Sequence, residues 1–81
     1  MRHTEFELEL SRVLFEYGLE IDRVEVVEED IFEYHYYIKT PLYWTDNFTE
    51  EVFKICNSHM YNFCNEHDLW VCLLNARIIF E

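Results

Sequence analysis

Glycine and proline are nearly missing, one of each in 81 residues. That leaves no material for a glycine-rich phosphate loop or a flexible linker, and neither an internal repeat nor a low-complexity tract is found. Basic residues are also scarce: six Lys and Arg stand against 17 Asp and Glu, a formal net charge of -11. A field of that sign repels phosphate backbones and anionic membrane surfaces and attracts basic partners, so no direct nucleic-acid or membrane binding is expected. No apolar run approaches the roughly 18 residues that a membrane span needs, and Met1 to Glu5 lead straight into a charged amphipathic stretch without an apolar leader. Three cysteines, an odd number, do not make a disulfide framework and point to a reducing compartment, read as cytoplasmic.

What the chain does contain is apolar and aromatic surface. Hydrophobic residues make up 51% and aromatic ones 19%, well beyond a disordered composition despite the charge. A chain of this size buries about 60–65% of its unfolded surface, which fits one domain over residues 1–81.

Periodicity predicts the order αββαβ. Thr4-Glu5-Phe6-Glu7 has capping-box spacing, and Phe6, Leu10, Val13, Leu14 and Tyr17 follow on one helical face. Gly18 then stands where a helix ends, giving a helix over about residues 5–17. Leu8 and Phe15 fall on its other side as candidates for an interface. Val24 and Val26 alternate with Arg23 and Glu25, and Phe32, Tyr34, Tyr36 and Ile38 alternate with Glu33, His35, Tyr37 and Lys39. That period of two predicts two strands in a hairpin. Thr49 with Glu50 and Glu51 reads as a helix start, Phe48 and Phe53 as its hydrophobic staple, and Val52, Ile55, Cys56, Met60, Phe63 and Cys64 as its apolar face to about Glu66. Leu69 to Phe80 reads as a last strand, with Leu69, Val71 and Leu73 marking a two-sided interior and Asn75-Ala76 offering a break into a short hairpin.

These elements predict an α+β two-layer sandwich with two helices on one face of a small antiparallel or mixed sheet. The order resembles a ferredoxin-like βαββαβ unit without its first strand, which implies an open edge for a loop or a second copy of the chain to cover. A homodimer is therefore among the expected partners.

Of the acids, Glu5, Glu7, Glu9, Glu16, Glu20, Asp22, Glu25, Glu28, Glu29, Asp30 and Glu33 all precede residue 34. Glu5, Glu9 and Glu16 share a flank of the first helix around Arg12, and Glu25, Glu28, Glu29, Asp30 and Glu33 sit on the hairpin. A contiguous negative surface is one reading, and a solvated face with ordinary helix pairs is the other. Phe32, Tyr34, Tyr36, Tyr37, Tyr43, Trp44 and Phe48 supply more rings than one strand face buries. Tyr37, on the polar side of its strand, and Tyr43 and Trp44, in a loop, are candidate anchors for a partner, or alternatively caps on the core.

Two constellations of metal-binding and catalytic type are weaker. Cys56-x-x-His59 and Cys64-x-x-His67, with Cys72 beyond, supply soft donors for zinc, but Cys56 and Cys64 are about 12 Å apart along a helix, too far for one tetrahedral site. His35 beside Glu33 is the one titratable group among acids on an exposed strand. No nucleophile elbow, P-loop, H-E-x-x-H or dinucleotide fingerprint occurs, so neither catalysis nor a cofactor is expected.

The expected function is therefore a non-enzymatic, protein-binding inhibitor whose acidic surface occupies the basic, nucleic-acid-binding surface of a partner enzyme or nuclease. In size and charge the chain resembles small phage-encoded inhibitors that imitate DNA, which implies a host-takeover or anti-defence role. An immunity protein or antitoxin that neutralises a basic nuclease or toxin is the alternative, and a small metal-binding protein a distant one.

Overall fold

Phe6, Leu10, Val13 and Leu14 are buried along α1, His3–Phe15, the stripe that the 3.6-residue period marks. The computed structural model describes residues 3–28, 32–70 and 74–81. Thr4 does not cap α1, because the helix already includes His3. The His3 ring is buried, stacks on Tyr34 at 3.6 Å and donates from Nε2 to the Leu74 carbonyl, so tertiary contact carries the helix past the expected start. At the other end Gly18 has φ +71, with Leu19 N–H bonding Leu14 O at 2.9 Å and Gly18 N–H bonding Phe15 O at 3.0 Å. That is a Schellman cap, which places the lone glycine where a left-handed backbone is required.

The cap turns the chain into β1, Ile21–Glu28, which pairs antiparallel with β2, Phe32–Ile38. Glu29, Asp30 and Ile31, between them, lie outside the described residues. The register slips between Ile21 and Arg23, putting Asp22 on an irregularity near the start of β1. On β2, Tyr36 and Ile38 are buried as the alternation predicts.

Helix α2, Asp46–Glu66, starts earlier than the sequence suggested. Its N-cap is Thr45, whose hydroxyl accepts from Phe48 N–H at 3.1 Å, while Thr49 lies inside the helix and donates back to Thr45 O at 2.9 Å. Both threonines match cap chemistry, and the Trp44–Phe48 contact at 4.6 Å favours the first. Phe48 is thereby taken from the expected staple, and Phe53 packs instead on Phe80 at 5.7 Å. Val52, Cys56, Met60, Phe63 and Cys64 are buried as expected, whereas Ile55 is exposed. Asp68, at φ 51, ends α2 with the same bond pattern as Gly18, Leu69 N–H reaching Cys64 O at 2.8 Å. Aspartate tolerates that conformation better than most residues.

The last strand is shorter than the apolar run. Only Ala76–Phe80 forms β3. Leu69 belongs to the cap of α2, Trp70 is exposed, and Leu74 N–H bonds Trp70 O at 3.2 Å. Residues 71–73 lie outside the described residues. Asn75, at φ 48, breaks the run where expected, yet the chain continues from it into a parallel strand and not a hairpin. Short apolar runs look alike in strands and in other segments, so Leu69, Trp70 and Leu74 read as strand although none of them is in β3.

The sheet is mixed, in the order β1-β2-β3, with β3 parallel to β2 and α2 as the crossover. In a ferredoxin-like split unit a missing strand would leave a gap beside β2. Here β3 pairs directly with β2 and fills it, so the open edges are β1 and β3. Both helices share one core with the sheet's inner face, where Phe6 meets Tyr36 at 5.4 Å and Phe63 at 5.5 Å. Edge strand β1 is poorly covered: Val24 and Val26 lie on the same side as Tyr36 and Tyr34, yet both are exposed, Val26 at 52%. Leu8 and Phe15 are exposed as well, Phe15 at 81%. Among the described residues no helix is long and apolar enough to cross a membrane.

Candidate functional site

The two helices run side by side, and the flank of α1 that carries Glu5 and Glu9 faces α2, with Glu16 just past the end of α1. Glu5 lies 3.8 Å from His67 Nδ1, Glu9 lies 3.4 Å from His59 Nδ1, and Glu9 also pairs with Arg12 at 3.4 Å. Two of these three acids are thus engaged along the seam between helices. Glu16, one turn beyond Arg12, makes neither a hydrogen bond nor an ion pair through its side chain with another described residue, and it stands at the lip of a groove.

That groove lies where α1 ends and α2 begins. Its walls are Glu16, Tyr17, Tyr43, Trp44, Thr45 and Phe48, around an open volume of about 590 Å³. Local structure explains the convergence. The Schellman cap brings Tyr17 to the end of α1, and the Thr45 cap fixes Trp44 and Phe48 on either side of the start of α2. Trp44 meets Phe48 at 4.6 Å and 81°, and Phe48 meets Tyr17 at 6.4 Å and 68°, so successive rings stand nearly at right angles. Trp44 is partly buried against the core, while Tyr43 is 83% exposed. The aromatic loop is therefore both things that the sequence allowed: Trp44 covers the core with one side, and Tyr43 faces outward. Tyr17 and Phe48 were missed as groove walls because periodicity assigned one to a core stripe and the other to a staple. Aromatics ending two successive helical patterns around a short loop are the signal that could have found them.

Glu25, Glu33 and Tyr37 lie on the other side of the sheet, facing away from the helices. Register places Glu25, His35 and Arg77 in one row across the three strands, and Arg23, Tyr37 and Ile79 in the next. Arg23 donates to Glu81 at 2.9 and 3.1 Å, to Asp22 at 3.0 Å and to Glu25 at 3.2 Å, and its guanidinium sits 4.0 Å over the Tyr37 ring. Those carboxylates, Glu81 foremost, hold the guanidinium still more firmly charged than usual. Partial burial and the neighbouring Glu25 push the Tyr37 hydroxyl up. Glu33 accepts from His35 at 2.6 Å and from Arg77 at 2.8 Å. The Glu28 side chain, at the end of β1, has neither hydrogen bond nor ion pair among the described residues. Glu29 and Asp30 lie outside those residues.

The expected field is thus divided among the described residues, with Glu5 and Glu9 along the helix seam and Glu25 and Glu33 on the outer sheet face. Glu5, Glu9, Glu25 and Glu33 have internal partners; Glu25 and Tyr37 meet around Arg23 on the sheet face, and among the described residues Glu16, Tyr43 and Trp44 converge on the groove. Cys56 and Cys64 take core positions: both are free and buried, burial pushes the Cys56 thiol up to about 11, and it pushes Cys64 in the same direction. No group of three His, Cys, Asp or Glu placed to hold a metal occurs among the described residues, and Cys72 lies outside them.

Comparison of the chain with protein-family models, with curated proteins and with solved structures finds no match.

Proposed function

We propose that this chain is a non-enzymatic protein-binding module, an inhibitor that seats its acidic surface on a basic, nucleic-acid-binding surface of a partner protein. The observation that carries the reading is the convergence of Glu16, Tyr43 and Trp44 with Tyr17 and Phe48 around one open groove. Large rings at a surface supply affinity at low entropic cost, and an acidic body attracts a basic partner and speeds the encounter. In the DNA-imitating class the partner would be met by rows of carboxylates. Because four of the candidate acids are occupied internally, the reading gives affinity to the groove and recruitment to the overall charge. Free, buried thiols fit a reducing, cytoplasmic setting. The test is affinity capture from the native source, followed by titration of the purified partner against salt. A basic protein whose binding weakens steeply with salt is the expected result, and an acidic partner or a salt-indifferent complex would refute it.

A further inference from the structure

The outer face of the sheet already holds an arginine in a setting that the groove repeats. Arg23 lies over Tyr37 at 4.0 Å while its nitrogens donate to Glu81, Asp22 and Glu25. A guanidinium suits such a place because its planar face stacks on a ring while its edge donates to carboxylates. The groove between α1 and α2 presents the same components: the rings of Trp44, Phe48 and Tyr17 nearly at right angles, the exposed ring of Tyr43, and Glu16 with no basic partner among the described residues. The charge of the chain, -11, favours a cationic occupant over a neutral one.

We propose that this groove takes an arginine side chain of a basic protein partner, its guanidinium against the rings of Trp44 and Tyr43 and its edge donating to Glu16. The inference rests on the protein-binding reading and names what enters the groove. Arginine is favoured over lysine because an ammonium group is more strongly hydrated and has no planar face to lay on a ring.

The test uses oligoarginine, oligolysine and oligocitrulline of equal length, titrated at low salt into the Trp70→Phe chain, in which Trp44 is the one remaining tryptophan. Oligoarginine is expected to change Trp44 emission and to bind about fivefold or more tightly than oligolysine, with oligocitrulline inert. Glu16→Gln and Tyr43→Ala are each expected to weaken oligoarginine about tenfold with an unchanged far-UV spectrum, and Leu42→Ser, at a fully exposed neighbour outside the groove, to leave it unaltered. Oligoarginine that fails to bind, binds without changing Trp44 emission, ignores Glu16→Gln and Tyr43→Ala, or binds no better than oligolysine overturns the inference. A captured partner that binds in a salt-sensitive way yet ignores these two variants removes the arginine and leaves the protein-binding reading standing.

Discussion

Cys56 belongs to the core with Val52, Met60 and Phe63, and burial lifts its thiol from 9.0 to about 11. At neutral pH a thiol reagent should label neither Cys56 nor Cys64 in the folded chain within minutes and should label both in urea, as peptide mass spectrometry would report. Rapid labelling of folded Cys56 would contradict its placement. The folded chain also keeps the Cys56 proton where the unfolded chain has begun to lose it. This contribution to stability is therefore complete below the ordinary thiol range and declines as pH rises from about 9 toward 11. Buried Tyr36 and Cys64 are displaced in the same direction. The urea midpoint should fall over that interval, and a flat profile would count against a buried, neutral Cys56. At the groove, residues differ in what they can report. Trp44 partly covers the core, so Trp44→Ala mixes stability with affinity, whereas Tyr43 projects into solvent and Tyr43→Ala isolates affinity.

Helix boundaries are where local chemistry can be separated from tertiary context. Thr45→Ala should cost about 1 kcal/mol and Thr49→Ala only a few tenths, because Thr45 caps a backbone N–H while Thr49 merely bonds back to a carbonyl. Equal losses in chemical denaturation would return the start of α2 to Thr49. Gly18→Ala should cost about 1 kcal/mol although nothing crowds an added Cβ, since the penalty is the left-handed backbone itself. Asp68→Gly, at the equivalent place in α2, should be neutral or stabilising by the same reasoning. The stripe of α1, the alternation of β2 and the Gly18 cap were legible because each depends on a local period or a unique residue. The extension of α1 to His3, the early start of α2 and the short β3 were not. Each is decided by a partner distant in sequence, Tyr34 and Leu74 for His3 and β2 for β3, or by a choice between two equivalent caps. The groove was half legible: Glu16, Tyr43 and Trp44 were singled out, but their meeting with Tyr17 and Phe48 depends on how the helices pack.

For the molecule as a whole, the layered fold changes what the net charge means. Sequence order allowed one acidic field, whereas the two layers set Glu5 and Glu9 against α2 and turn Glu25 and Glu33 to the far side of the sheet, where Arg23 engages Glu25 and Arg77 engages Glu33. Long-range attraction to the proposed basic partner is unaffected by that division, because it depends on the sum of charges. In the proposed reading, close-range recognition falls to Glu16 and the rings beside it. The most direct measurement is the dissociation constant of the captured partner for the wild-type chain and for Tyr43→Ala, taken between about 50 and 500 mM salt. Affinity should fall about tenfold or more across that range, and Tyr43→Ala should weaken binding about tenfold at every salt concentration without moving the thermal midpoint. Binding that is indifferent both to salt and to Tyr43→Ala would contradict an acidic, aromatic-anchored interface.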